Sequence, residues 1–147
     1  MSAVGDSDAV VGYSGTSLPA KLGVKEGSTL ALLDAPADLH LEVPPGVVVR
    51  YTARGRADVV LAFFTRASRI EPRLDRLGSM IFPSGALWLA WPKKSSGMES
   101  DLTDVRVRDI VLRGGLVDNK VCAIDETWSA LRFVWRKEHR GPGGQRG

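Results

Sequence analysis

The chain has 147 residues, 44% hydrophobic and 25% charged, which fits one globular domain with a core of its own. No apolar run is longer than Val59 to Phe64, far short of the ~18 residues of a membrane-crossing helix, and the first fifteen residues carry no pattern of a secretory signal. Arg136, Lys137, Arg140 and Arg146 against Glu138 account for the whole net charge of +3, so acids and bases balance over residues 1–135 and no general nucleic-acid-binding surface is expected.

Residues 1–11 are small and polar and predict a disordered start. A single α/β domain is expected over 12–139, with a low-complexity, disordered tail at 140–147. Thr16 or Ser17 can cap a short helix that carries Pro19 in its first turn and ends at Gly23. Thr29 to Leu33 is a continuous apolar run, the pattern of a strand covered on both faces. Residues 37–42 predict a helical turn, and Pro44-Pro45-Gly46 breaks the chain. Val47 to Thr52 is a β-branched second strand, and Asp58 to Phe64 is a third with an apolar middle.

Ile70, Leu74, Leu77 and Ile81 share one face of a helix near 69–81, with Ser68 and Glu71 spaced as a capping box. Pro83-Ser84-Gly85 turns into a fourth strand, Ala86 to Trp91. After a loop over 92–100, Asp101 or Thr103 can cap a helix at 104–113 that ends at Gly114-Gly115. A fifth strand near 118–124 turns at Asp125-Glu126-Thr127 into a sixth, Trp128 to Trp135, and so short a turn requires an antiparallel hairpin.

Strands alternating with helices indicate parallel crossovers. The fold expected is a Rossmann-like three-layer sandwich with a mostly parallel six-stranded sheet, order 2-1-3-4-6-5. With its C-terminal antiparallel hairpin it resembles a reduced class I methyltransferase. This order places the first and third strands side by side, at the switch point where such folds bind ligands.

Four stretches carry a second resemblance: Gly12-Tyr13-Ser14-Gly15-Thr16, Leu87-Trp88-Leu89-Ala90-Trp91-Pro92-Lys93, Asp101-Leu102-Thr103, and Gly115-Leu116-Val117-Asp118-Asn119-Lys120-Val121-Cys122 continuing to Val134. Together they resemble a family of small actinobacterial proteins sharing a domain of unknown function (DUF 3052), over roughly 12–139. The resemblance implies an intracellular, cytoplasmic bacterial protein and carries over no catalytic residue.

The parts of several chemistries are missing. A methyltransferase cofactor loop places glycines after the first strand so that bare main chain can approach the cofactor. Here that place reads Leu33-Asp34-Ala35-Pro36-Ala37-Asp38, where proline and alanine are expected to crowd an adenosyl group. The second strand ends Val49-Arg50-Tyr51-Thr52, without a carboxylate for ribose hydroxyls. A dinucleotide site fails on the same glycines, and no nucleophile elbow, P-loop or metal-ligand cluster is present. Cys122 lies in an apolar stretch and reads as a buried small hydrophobe. Neither a cofactor nor a metal is expected.

What remains is the carboxyl edge of the sheet. The expected topology gathers Asp34, Thr65, Arg66, Trp91, Lys93, Lys94, Asp125, Glu126 and Trp128 there, and their cations and indoles could grip an anion or an aromatic ligand. Ser95-Ser96-Gly97 could cradle a phosphate at the start of the following helix. The function expected is a non-catalytic binding or regulatory domain on a degenerate methyltransferase-like scaffold, with a protein partner or small anionic ligand and no membrane or nucleic acid. Two alternatives stand beside it: an S-adenosylmethionine-dependent methyltransferase with an atypical cofactor loop, and weak nucleic-acid binding through the basic C-terminal tail.

Overall fold

The computed structural model describes residues 17–139. The expectations for 1–11, for the Gly12–Thr16 stretch and for the tail at 140–147 lie outside the described residues. Three strands are almost wholly apolar and take the middle of the sheet: β1 (Thr29–Leu33), β3 (Val59–Phe63) and β4 (Ala86–Pro92). With β2 (Val48–Arg50), β5 (Leu116–Ala123) and β6 (Trp128–Trp135) they form one six-stranded sheet in the order β2-β1-β3-β4-β6-β5. The first four strands of that order pair in parallel, while β6 runs antiparallel to both β4 and β5. The expected order and hairpin are those observed.

Strands buried on both faces need two covers. One face carries Val60, Leu89, Trp91 and Phe133 and packs against α2 (Leu74–Ile81) and α3 (Asp104–Leu112). The other carries Leu30, Leu61, Trp88 and Ala130 and is covered by α1 (Leu18–Leu22) and the chain between β1 and β2. Two buried indoles tie helices to the sheet. Trp88 Nε1 donates to the Leu22 carbonyl and Trp135 Nε1 to the Gly78 carbonyl, each at 2.9 Å. Gly78 leaves the room that the second indole needs, since a Cβ there would stand 3.0 Å from the ring of Trp135.

Capping follows the sequence closely at two of the three helices. Ser17 caps α1, Gly23 closes it in a left-handed conformation, and Thr103 Oγ1 accepts from Arg106 N at 3.2 Å at the start of α3. Asp101 does something else: its Oδ1 accepts from Ala67 N at 2.9 Å and fixes the entry to a pair of 3-10 turns. Those turns, Ala67–Arg69 and Glu71–Arg73, replace the first part of the helix expected from 69, because Pro72 removes the amide that a regular helix would use. The capping box of Ser68 and Glu71 does not form.

The cover from 35 to 47 is the main local departure. A helical turn was expected at 37–42, and only one turn is present, closed by Leu39 N on the Pro36 carbonyl at 3.1 Å. Beyond it the chain is extended. Leu39, Leu41 and Val43 turn onto the sheet while His40 and Glu42 face solvent, a period of two that requires an extended strap. The link from β2 to β3 also has no helix, so two of the parallel crossovers are made without one. β2 is shorter than expected, since it is an edge strand paired only to β1, and Tyr51 beyond it is 70% exposed.

No helix among the described residues is long and apolar enough to cross a membrane. The tightest backbone approach is at Gly85, where a Cβ would stand 2.9 Å from the carbonyl oxygens of both Ala57 and Asp58. Gly85→Ala is therefore expected to lower stability by about 2 kcal/mol, a typical overpacking cost. Urea unfolding followed by tryptophan fluorescence reads this as a lower midpoint with an unchanged slope.

Candidate functional site

The parallel strands β1, β2, β3 and β4 deliver their ends to one edge of the sheet. The chain leaves β1 toward β2 on one side, while β3 and β4 continue on the other, so the edge opens between β1 and β3. Asp34 is the first residue past β1 and has φ 59°, the left-handed region. Aspartate is one of the few side-chain-bearing residues that enter this region readily, because its short carboxylate bonds locally. A sharp turn after β1 is thus made without glycine. Ala35 then packs against the strap-covered core, so its methyl turns into the apolar layer. The expectation that Ala35 crowds this crevice is corrected by its packing into that layer.

Asp34 does not stand alone. Arg73 Nη1 donates to Asp34 Oδ2 at 2.7 Å, and the Arg73 guanidinium carbon lies 5.7 Å from the centroid of the Phe64 ring. Phe64 is buried and its amide donates to the Ala90 carbonyl at 2.9 Å, which locks the ring to the sheet. A carboxylate and an aromatic face therefore hold Arg73 from two sides. Asp34 keeps 64% of its side chain exposed and Arg73 keeps 36%, so both charges remain open to a ligand.

The other residues expected here divide by what they are used for. The Thr65 carbonyl accepts from Asp101 N at 3.3 Å, and Arg66 makes a long, exposed ion pair with Glu99 at 3.8 Å. Trp91 and Trp128 are each only 6% exposed and belong to opposite faces of the sheet. Trp128 is spent on an edge-to-face contact with Phe63 at 5.0 Å. A joint aromatic clamp by the two indoles is corrected accordingly. Lys93 N donates to the Thr127 carbonyl at 2.7 Å, and Lys94 is exposed in the 3-10 turn that follows. Asp125 Oδ1 accepts from Thr127 N and Trp128 N, both at 2.8 Å, so this carboxylate closes the hairpin turn and leaves no acid/base pair with exposed Glu126. The phosphate cradle at Ser95-Ser96-Gly97 is also corrected. Ser96 Oγ donates to the Lys93 carbonyl at 2.7 Å and accepts from Met98 N at 3.2 Å, and α3 starts only at Asp104.

Sequence reasoning missed Arg73 and Phe64. A signal did exist in the topology. A helix that follows a parallel strand starts at the edge where the strand ends, so Arg73, the residue that caps α2, belongs to this crevice as much as the loops do.

No known family model matches the chain, and no curated protein does. Among solved structures, it is similar to magnesium protoporphyrin IX methyltransferase (ChlM) from Synechocystis PCC 6803 with bound SAH. That likeness has 13% identity and a TM-score of 0.51 and covers 81% of this chain and 78% of that one. A LepI cysteine-to-alanine variant in complex with SAH and a substrate analogue gives 12% identity and a TM-score of 0.51, over 81% of this chain and 39% of that one. A SAM-dependent methyltransferase from Aquifex aeolicus gives 16% identity and a TM-score of 0.48, over 78% and 85%.

At such identities the likeness establishes the fold, a Rossmann-like, class I methyltransferase-like sheet. The expectation of a non-catalytic binding or regulatory domain is corrected here. It rested on the absent glycines, and the neighbours that share the sheet are a methyltransferase and a SAH complex. Its methyltransferase alternative fits these findings better.

Cys122 lies on β5, half-buried and away from the crevice. Burial pushes its thiol pKa up, and Lys21 only partly opposes this. A raised pKa means less thiolate at neutral pH, so alkylation by iodoacetamide at pH 7 is expected to run slower than for free cysteine and to accelerate as pH rises through 9. Mass-spectrometric rates across that range check the sign.

Proposed function

We propose that the chain is an S-adenosylmethionine-dependent methyltransferase with an atypical cofactor loop, built on Asp34 where glycines are usual. The observation that carries this reading is the left-handed turn at Asp34 at the switch point of a methyltransferase-like sheet. The residues present fit the group. Its amino-acid end carries an ammonium and a carboxylate, and the exposed pair of Asp34 and Arg73 offers the opposite charge to each. At the end of β2, Tyr51 and Thr52 bring hydroxyls where a carboxylate usually meets the ribose. When bound, the cofactor supplies a sulfonium methyl group. Asp34 and Arg73 would hold its amino-acid end, and the chemistry it would supply is transfer of that methyl to an acceptor's lone pair. The chain's own residues bind and orient, with Phe64 fixing Arg73 and Arg73 fixing Asp34.

The resemblance to the DUF 3052 family belongs to this proposal, and with it a cytoplasmic setting in a bacterium. Its support is the run of matching residues from Leu87 to Lys93 and from Gly115 to Val134.

Calorimetric titration with S-adenosylhomocysteine tests the reading, with micromolar affinity expected. Asp34→Gly is expected to keep the turn, because glycine takes the left-handed region freely, and to change stability by less than about 1 kcal/mol. The same variant should bind about tenfold more weakly, the loss of one charge-assisted hydrogen bond. Absence of binding to the folded wild type at millimolar ligand would sink the proposal.

A further inference from the structure

Beside the crevice, the loop after β2 and the start of α2 enclose an open cavity of about 440 Å³ lined by Thr52, Ala53, Arg54, Pro72, Arg73 and Arg76. Three arginines and no acidic residue line it. Arg73 is shared with Asp34, while Arg54 and Arg76 make no ion pair among the described residues. A second observation extends the positive field under the same loop. Arg50 Nη2 donates to the Arg56 carbonyl, but its Nε is buried without a hydrogen-bond partner, and no carboxylate pairs with it. Gly55, at φ 70°, accommodates this, since a Cβ there would stand 3.0 Å from Arg50 Nη1.

Like charges lining one cavity disfavour each other, and an entering anion would supply the counter-charge that Arg54 and Arg76 lack. Guanidiniums form paired hydrogen bonds with tetrahedral oxyanions, and three of them match a multiply charged phosphate better than a single carboxylate.

We propose that this cavity binds the phosphate end of a small phosphorylated molecule. Arg54 and Arg76 grip the phosphate, and Arg73 links the cavity to the crevice. That this molecule is the methyl acceptor rests on the methyltransferase reading above; the anion site itself does not. The cavity differs from the edge predicted from sequence, which looked for an anion at Lys93, Lys94 and Arg66, on the opposite side of β3 from β2.

The test is titration of the full chain with pyrophosphate and, separately, acetate, followed by calorimetry and thermal shift, in the wild type and in an Arg54→Gln, Arg76→Gln double variant. Both positions are exposed, so the variant is expected to fold. The result expected is preference for pyrophosphate over acetate in the wild type, weakened about tenfold or more in the variant. S-adenosylhomocysteine affinity should be the same in both. Pyrophosphate affinity unchanged in the variant, or no preference over acetate, overturns the site. A short single-stranded RNA that binds tightly where pyrophosphate does not overturns the small-molecule assignment. Wild type that takes pyrophosphate but not S-adenosylhomocysteine keeps the site and overturns the methyltransferase reading.

Discussion

The structure depends on the burial of β1, β3 and β4 on both faces. These strands have no polar side to give to water, so the chain must lay an apolar layer over each face before the sheet is stable. The remaining architecture supplies those layers. α2 and α3 serve one face, α1 and the strap at 35–47 the other, and the antiparallel hairpin extends the sheet so that Trp88 and Trp135 have partners on both sides. The same demand fixes the open edge, because covering layers on both faces leave the strand ends as the place where a ligand can reach the sheet.

At that edge the chemistry is cationic. Arg73 ties the two halves of the candidate site together, with Asp34 on one side and the cavity of Arg54 and Arg76 on the other. Phe64 sets its position from below. A single side chain thus stands between the proposed cofactor end and the proposed phosphate, and it is set by Phe64, the residue that follows β3.

The sheet was legible in the sequence because buried strands leave unmistakable text: Leu30 to Leu33, Val59 to Phe63 and Ala86 to Trp91 are unbroken apolar runs, and Trp128 to Trp135 follows a short polar turn. Caps at Ser17 and Thr103 were legible for the same local reason. The strap was misread because Leu39, Leu41 and Val43 alternate over too few residues to overrule a helical reading without the tertiary surface they cover. The site was misread at two levels. Asp34 was judged by residue type, although the backbone there needs a conformation that aspartate can also adopt. Arg73 was overlooked because its partner is 39 positions away, a separation that leaves no local mark. Trp91 and Trp128 lie on opposite faces because Trp128 pairs with Pro92, one residue along β4 from Trp91, and side chains alternate along a strand.

The strap also makes the molecule mechanically unequal. Between Ala35 and Val47 the backbone closes on itself at only two places, Leu39 to Pro36 and Val47 to Pro44. Everything else that holds it is side-chain contact with the sheet. Amide hydrogens along Leu39 to Val43 should consequently exchange with solvent through small local openings, while those of β3 and β4 await global unfolding. The layer that adjoins Asp34 can loosen and reseat without disturbing the strands beneath it, so the yielding half of the protein is the half that flanks its open edge.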